Sequence, residues 1–330
     1  MSSTPWVEKY RPKSLQEVSH QEDVVNTLQK TLETANLPHL LFYGPPGTGK
    51  TSTILAVARD LYGPELMKSR VLELNASNER GIDVVREKVK NFAALAVSSK
   101  DAAPGYPCPP YKIIILDEAD SMTTDAQSAL RRTMETYTKV TRFCIICNYV
   151  SRIIDPITSR CAKFRYKPLS DETMKSRLQH ICKAEGIEHE EKVLDTLVEI
   201  SEGDMRRSIT LMQSAKRLVM SGEVMTSKHV LEVAGVVPKD VVTNLLRACK
   251  SNSFQDIQNA VEDTVAEGFP VDQILQKVQA VLMEDDTLTD LHKAKISVRL
   301  AESDCKLIEG ADESLQLLDI LSFISTTILE

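Results

Sequence analysis

The sequence is poor in the residues that mark unusual classes of protein. Its 330 residues include only 12 glycines, 14 prolines and one tryptophan, and aromatic residues make up 5% of the chain. So little glycine and proline argues against a fibrous or disordered chain, and so few aromatics argue against an all-β sandwich. With 42% hydrophobic and 26% charged residues, the composition is typical of a helix-rich globular protein of two or three domains.

The chain also lacks a long apolar run. No segment approaches the roughly 18 to 20 consecutive apolar residues that are needed to cross a bilayer, and the N-terminal residues are charged where a signal peptide needs an apolar stretch. We therefore expect neither export nor membrane insertion. The seven cysteines are an odd number spread over a long chain, which indicates reduced thiols in a cytosolic or nuclear protein rather than a disulfide framework.

Charge is unevenly distributed along the chain. Residues 1–168 hold 23 Lys and Arg against 18 Asp and Glu, whereas residues 169–330 hold 17 against 29. The formal net charge of −7 therefore combines a mildly basic front half with a strongly acidic back half. A polyanion is expected to meet the front half, although ordinary solvated surface would produce the same asymmetry.

Short apolar runs in the front half predict the strands of a parallel sheet. They lie at residues 40–43, 71–74, 112–116 and 142–147. Segments with apolar residues at a spacing near 3.6, such as 51–61 and 81–96, lie between them and predict helices. This alternation predicts a doubly wound α/β domain.

The rest of the chain carries weaker signals. The stretch 98–111 is rich in Pro, Ala and Ser and predicts a surface loop. After residue 168 the strand signals stop, and the patterns predict packed helices in two blocks, about 169–232 and 238–330.

A phosphate-binding motif follows the first predicted strand. Residues 44–51 read GPPGTGKT, which satisfies G-x-x-x-x-G-K-[ST] between a strand and a helix. The glycines let successive backbone N–H groups point at the β-phosphate, while Lys50 reaches the β and γ oxygens and Thr51 places its hydroxyl on Mg²⁺. The motif predicts nucleotide binding.

Polar residues at the ends of later strands predict hydrolysis. Asp117 ends the third apolar run, where its carboxylate would hold the Mg²⁺ shell, and Glu118 beside it would orient water. The alternative for this acidic pair is a helix N-cap. Asn148 ends the next strand and would bond the γ-phosphate or the attacking water, or else cap a turn. Arg206 at a helix start and Arg160 in a loop are candidates for phosphate contacts, with a surface cation as the alternative.

The cysteines of the fourth strand do not predict a metal site. Cys144 and Cys147 lie three residues apart on a buried strand, so their side chains point to opposite faces and cannot share one metal without distortion. We interpret them as core thiols, and Cys161 as a small packed residue.

Six motifs lie along the first 230 residues, and five of them have the order and spacing of one protein family. They are WVEKYRP at 6–12, GPPGTGKT at 44–51, ELNASNERGI at 73–82, IIILDEADSM at 113–122, CNYVSRIIDPITSRC at 147–161 and GDMRRSI at 203–209. Together they resemble a replication factor C small subunit, from the clamp-loader family of the AAA+ ATPases, and look most similar to its eukaryotic members. The last hundred residues match this family only in length and helical character.

This resemblance implies an architecture and an activity. The fold class would be α/β: an AAA+ P-loop domain with a parallel sheet at 1–167, a small helical lid domain at 168–232 and an all-α collar domain at 233–330. Five different subunits would form an open ring through their collars. The ring would bind and hydrolyse ATP with Mg²⁺, open a sliding clamp and load it onto primer-template DNA for replication and repair in the nucleus.

The resemblance also implies residue roles. Asp117 and Glu118 would be the catalytic acidic pair beside Lys50, with Thr51 and Asp117 on Mg²⁺. Asn148 would be the first sensor, Arg206 the second, and Arg160 an arginine finger that acts in trans on the neighbouring subunit's ATP. Four residues are implied to contact the base region of the nucleotide: Val7, Tyr10, Arg11 and Pro12. The residues implied to bind its phosphates are Gly44, Pro45, Pro46, Gly47, Thr48, Gly49, Lys50, Thr51 and Ser52, and Asn148 and Arg206 are also implied to bind the nucleotide.

Candidates for DNA contacts lie on the helix that follows the NASNERG sequence. Arg80, Arg86 and Lys90 would meet DNA phosphates, and exposed helix cations are the alternative. DNA binding would depend on the shape and charge of the DNA, because the sequence contains no motif that recognises the edges of the bases.

Two other functions remain open. One alternative is a scaffold and finger donor whose own nucleotide stays unhydrolysed, although the intact Lys50, Asp117 and Glu118 weigh against this. A different AAA+ remodeller, such as a helicase loader or an unfoldase, is the other alternative. An unfoldase would need an aromatic-hydrophobic pore loop, and residues 75–100 offer no candidate for it.

Overall fold

A computed structural model describes residues 4–18, 21–34, 36–76, 82–95, 105–219, 223–251 and 253–329. The chain divides into two compact units, residues 1–230 and 231–330. Among the described helices, none has the length and apolarity that a membrane span needs.

The first unit is built on a five-stranded parallel sheet. Its strands are β1 (Leu40–Tyr43), β2 (Val71–Asn75), β3 (Lys112–Asp117), β4 (Thr141–Cys147) and β5 (Ala162–Arg165). The strands lie in the order β2-β3-β4-β1-β5, and every neighbouring pair is parallel. The helices up to the end of the sheet are α1 (Trp6–Lys9), α2 (Glu22–Glu33), α3 (Lys50–Arg70), α4 (Ile82–Ala94), α5 (Thr124–Tyr137) and α6 (Asp155–Thr158).

Helices cover both faces of this sheet. Alternate strand residues belong to different apolar clusters, because successive side chains of a strand point to opposite faces. One cluster joins Cys144 of β4 to α2 and α3, and the other joins Cys147 to α4 and α5. The doubly wound α/β domain is therefore confirmed. Both thiols are buried and free, and burial raises the pKa of Cys147 to about 12, as expected of core thiols.

The predicted strands agree with β1 to β4 to within one residue, but β5 was missed. Its sequence is AKFR, and among the described strands it pairs with β1 alone, at the edge of the sheet. An edge strand can keep charged side chains such as Lys163 and Arg165 exposed, so it lacks the apolar run by which the other strands were found.

The helix predicted at 51–61 is longer in the structure. Helix α3 runs from Lys50 to Arg70 and contains a kink at Gly63, whose φ of 69° is left-handed. Pro64 follows, and a proline disfavours the helical conformation of the residue that precedes it. The kink therefore lies where the apolar pattern ended, and the helix predicted at 81–96 corresponds to α4.

The loop predicted at 98–111 is only partly a surface loop. Residues 98–104 lie outside the described part of the chain. Tyr111 is buried: its hydroxyl accepts a hydrogen bond from the Leu37 N–H at 3.2 Å, and its carbonyl accepts one from the Tyr62 hydroxyl at 2.7 Å. The end of the loop packs inside because these polar groups find partners there.

Helices make up the remainder of the described chain. In or next to the first unit lie α7 (Asp171–Glu185), α8 (Glu191–Ser201), α9 (Met205–Leu218) and α10 (Ser227–Ala234). The second unit contains α11 (Lys239–Lys250), α12 (Phe254–Ala266), α13 (Val271–Glu284), α14 (Asp290–Ile308) and α15 (Glu313–Leu329). The second unit has its own apolar core, to which all five helices contribute.

Candidate functional site

A cleft in the first unit gathers residues that are distant in sequence. It holds about 1160 Å³ of empty space, part of which is open solvent, and clefts of this kind are where small molecules usually bind. Most of the predicted nucleotide and catalytic residues line it: Val7, Tyr10, Arg11, Pro12, Pro46, Gly47, Thr48, Gly49, Lys50, Thr51, Ser52, Asp117, Glu118, Asn148 and Arg206. Other lining residues are Glu17, Val18, Leu169, Thr173, Arg177, Met205 and Ile209, which the sequence did not indicate.

The phosphate loop connects β1 to α3 at the base of this cleft. Gly47 and Gly49 have φ angles of 70° and 93°, a left-handed conformation that glycine adopts without steric cost. Helix α3 begins at Lys50, so its N-terminus, which favours anions, opens at the loop.

The side chain of Lys50 contacts the start of the loop. Its ammonium group donates hydrogen bonds to the carbonyl oxygens of Gly44 and Pro45, both at 2.8 Å, and to Oδ1 of Asn148 at 3.1 Å. Burial lowers the pKa of Lys50, and the carboxylate of Asp117 partly offsets this shift. Gly44 and Pro45 themselves do not line the cleft; their carbonyl groups hold Lys50. A phosphate would offer this lysine an anionic partner in place of neutral ones.

A hydroxyl and a carboxylate meet beside Lys50. The Thr51 hydroxyl donates to Oδ2 of Asp117 at 2.7 Å, and Oδ1 of Asp117 accepts the N–H of Glu118 at 2.9 Å. Hydroxyl and carboxylate oxygens suit Mg²⁺, which usually takes one or two protein ligands and completes its shell with waters and substrate phosphates. Within the described ranges no cluster of three or more His, Cys, Asp or Glu side chains could hold a metal alone. The pair therefore fits Mg²⁺ that is shared with a nucleotide.

Glu118 adopts an unusual backbone conformation. Its φ of 53° is left-handed, and its side chain makes no capping hydrogen bond to the short 3₁₀ turn Ala119–Ser121 that follows. The N-cap alternative is therefore not observed for Glu118. A left-handed non-glycine residue is strained, and such strain concentrates at functional sites. Glu118 itself lines the cleft.

Asn148 is held from behind by Asp120. The N–H groups of Asn148 and Tyr149 both donate to Oδ2 of Asp120, at 3.1 and 3.2 Å. The side chain of Asn148 bonds Lys50 rather than its own turn. Asp120 lies in the 3₁₀ turn just after the acidic pair Asp117 and Glu118, and its carboxylate thus fixes the end of β4. The sequence did not predict this contact.

Helix α9 brings Arg206 to the cleft. Asp204 caps this helix, because its Oδ1 accepts the N–H groups of Arg206 at 2.8 Å and Arg207 at 3.2 Å. The charge of Arg206 adds to the effect of burial, the main cause, in lowering the pKa of Lys50. The Arg206 guanidinium therefore lies close enough to the Lys50 ammonium for the two charges to interact.

The N-terminal residues form a further wall. Val7, Tyr10, Arg11 and Pro12 line the cleft, and Arg177 of α7 donates from Nη2 to the Tyr10 carbonyl at 2.8 Å. Arg177 was missed because it belongs to no motif; an amphipathic helix pattern does not distinguish a cleft residue from other polar ones.

Arg160 and the DNA candidates lie elsewhere. Arg160 is exposed; its Nη2 pairs with Oε1 of Glu135 at 2.7 Å and its Nη1 donates to the Pro156 carbonyl at 2.6 Å. Lys90 is exposed on α4. Arg80 and the side chain of Arg86 lie outside the described part of the chain.

Comparisons with protein families match three parts of the chain. Residues 40–169 match the ATPase family associated with various cellular activities, residues 176–217 match the RCF1/5-like AAA+ ATPase lid domain, and residues 237–322 match the replication factor C C-terminal domain. The α/β unit, the helices α7 to α9 and the second unit thus each correspond to a known family.

Curated relatives match over almost the whole length. Replication factor C subunit 4 of Arabidopsis thaliana is 60% identical over 97% of this chain and 94% of its own. The human subunit 4 is 55% identical over 97% and 87%, and the small subunit of Archaeoglobus fulgidus is 43% identical over 97% of both chains.

Solved structures support the fold. The RuvB Holliday junction branch migration motor of Thermotoga maritima aligns with a TM-score of 0.53 over 82% of this chain and 91% of its own, at 17% identity. This likeness concerns the fold alone. The near full-length identities establish more: the chain belongs to the replication factor C small-subunit family of the AAA+ clamp-loader ATPases.

Proposed function

We propose that this chain is a motor subunit of a heteropentameric clamp loader: it binds ATP with Mg²⁺ and hydrolyses it while the ring opens a sliding clamp and loads it onto primer-template DNA. The observation that carries the proposal is the cleft in which Lys50, the Thr51–Asp117 pair and Glu118 lie together. A purely structural nucleotide site would not need the last two features.

Each residue of the cleft has a proposed task. Lys50 and the N–H groups of the loop hold the phosphates, and Thr51 and Asp117 hold Mg²⁺, which would neutralise charge that develops on the phosphoryl oxygens. Glu118 orients a water molecule and accepts its proton. Asn148 fixes the position of Lys50, and Arg206 contacts the phosphates from the lid.

Arg160 is proposed to act on a neighbouring subunit. It is exposed and does not line the cleft of its own chain, which supports action in trans. A cation supplied by a neighbour stabilises the phosphoryl-transfer transition state only in the assembled ring. Hydrolysis would then depend on correct assembly.

The larger assembly is proposed from the family. The names of the relatives support partnership with other replication factor C subunits, and the basic front half with exposed Lys90 supports contact with DNA phosphates. Family membership also supports nuclear localisation. We propose domain limits at 1–167, 168–232 and 233–330, supported by the three family matches and by the division at residue 230.

The test is ATP hydrolysis by the chain co-expressed with its ring partners. We expect primed DNA and clamp to stimulate hydrolysis, and Glu118→Gln to reduce turnover at this site by about 100-fold or more, because general base catalysis typically contributes that much. The ring would lose this subunit's share of the rate, and ATP binding would persist. Glu199→Gln, which removes an exposed carboxylate of α8, should change neither. An unaltered stimulated rate in Glu118→Gln would instead assign this site a scaffold role.

A further inference from the structure

The N-terminal strap, residues 6–12, is fastened to the lid helices. The Trp6 N–H donates to Oε1 of Gln213 on α9 at 3.1 Å. The Trp6 ring is 8% exposed, and the Lys216 ammonium lies 5.3 Å from its centroid. The strap thus presents cleft-lining residues while it is anchored on α9.

A single carboxylate on α7 holds the middle of this strap. Oε1 of Glu185 accepts hydrogen bonds from the Lys9 ammonium at 2.5 Å and from the Tyr10 hydroxyl at 2.6 Å. Lys216 donates to the Glu185 carbonyl at 2.9 Å and lies 3.9 Å from its Oε2. The Glu185 side chain is only 14% exposed, although it belongs to a residue type that is almost never buried without a partner.

The two ends of Tyr10 are therefore both tied to one helix. Arg177 of α7 binds its carbonyl, and Glu185, two turns further on, binds its hydroxyl. Tyr10 lines the cleft, so its position there follows the position of α7. Hydrogen bonds to charged groups are the stronger ones in proteins, and two donors, the Lys9 ammonium and the Tyr10 hydroxyl, converge on the Glu185 carboxylate.

We propose that Glu185 is a positioning residue of the nucleotide site, which fixes Tyr10 and the strap on the lid so that the wall facing the nucleoside is preformed. This inference rests on the proposed nucleotide site and concerns the part of the ligand away from the phosphates. The phosphate loop is built from β1 and α3 and does not depend on Glu185. Loss of the Glu185 carboxylate should therefore weaken binding of the nucleoside part of the ligand and leave binding of its phosphates unchanged.

The experiment compares ATP with inorganic tripolyphosphate, each with Mg²⁺, on the full chain. We expect Glu185→Ala to raise the Kd for ATP about tenfold, the order of one lost hydrogen bond to a charged group. The Kd for tripolyphosphate should stay unchanged within about twofold. Glu185→Gln, which keeps an acceptor oxygen, should be intermediate, and Glu199→Ala should match the unaltered chain for both ligands.

Trp6 supplies a second readout, because it is the one tryptophan of the sequence. Its fluorescence should become more accessible to acrylamide in Glu185→Ala and stay protected in Glu199→Ala. In the assembled ring, the KM for ATP should rise while kcat is retained. If Glu185→Ala folds poorly, Tyr10→Phe removes only the hydroxyl that Glu185 binds and should weaken ATP without weakening tripolyphosphate.

The outcomes are distinguishable. An unchanged ATP Kd with unchanged Trp6 quenching would overturn the inference and leave the proposed function intact. Equal weakening of ATP and tripolyphosphate would also overturn it, since Glu185 would then support the lid in general. Failure of the unaltered chain to bind ATP would overturn the proposed function and the inference with it.

Discussion

At Gly47 the phosphate loop comes close to Asp204, the residue that caps lid helix α9. A Cβ atom built on it would lie 1.9 Å from Oδ1 of Asp204, and its φ is 70°. The same carboxylate oxygen caps α9 and so fixes the helix that carries Arg206. One position without a side chain therefore allows the phosphate loop and helix α9 to meet.

Gly47→Ala is expected to weaken ATP binding by about tenfold or more and to destabilise the chain. The left-handed backbone adds about 1–2 kcal/mol of strain, and displacement of Asp204 would remove a cap of about 0.5–2 kcal/mol. Thermal unfolding and the ATP Kd measure these effects. Gly268→Ala is the matched control, because its φ of 79° carries the same strain with no atom within 4 Å. Equal effects of the two substitutions would contradict the proposed contact.

At the scale of elements, His39 joins two strands of the sheet. It precedes β1, and its Nδ1 accepts the N–H of Phe143 on β4 at 3.1 Å. The imidazole is buried, and burial, with a smaller effect of the Arg142 charge, lowers its pKa to about 4. The hydrogen bond requires an unprotonated Nδ1, so the folded state holds this histidine neutral.

The fold should therefore lose stability as the pH falls from about 6.5, the ordinary pKa of histidine, toward about 4. In this window the unfolded chain binds a proton that the folded chain rejects, so the free energy of unfolding decreases by up to about 1.4 kcal/mol per pH unit. Urea unfolding at several pH values measures the slope. His39→Gln should flatten it, whereas His180→Gln, at an exposed position of α7, should not. A slope that persists in His39→Gln would contradict this origin.

Elements could be predicted from the sequence where one residue pattern determined the outcome. Buried strands such as β3 form apolar runs, and the ends of parallel strands share one sheet edge, so Asp117 and Asn148 were placed near the phosphate loop. The edge strand β5 was not predicted, because its exposed lysine and arginine interrupt the apolar run by which the other strands were recognised. Glu185 could not be predicted, because its contacts with Lys9 and Tyr10 depend on the packing of the N-terminal strap against α7, which no local sequence pattern encodes.

At the scale of the whole molecule, Arg160 is a predicted site residue that does not line the cleft of its own chain. The Glu135 carboxylate on α5 forms an ion pair with Arg160 and a second one with Arg131, whose Nε lies 3.0 Å from it. The hydrogen bond from Arg131 is the main cause that lowers the pKa of Glu135. The carboxylate thus stays ionised and keeps the arginine in place at the surface. An exposed ion pair of this kind contributes little stability, so removing Arg160 tests function rather than folding.

Arg160→Ala should leave ATP binding by the isolated chain unchanged and reduce the DNA- and clamp-stimulated hydrolysis of the assembled ring. An arginine finger contributes about 10³–10⁵-fold at the site it serves, so the neighbouring site would fall silent and the ring would lose that share of its rate. Steady-state hydrolysis with and without primed DNA and clamp measures the loss, with Arg217→Ala, an exposed arginine of α9, as the control. Full stimulated activity would remove the finger assignment. Weaker ATP binding by the isolated chain would place Arg160 at its own cleft, against the geometry that separates them.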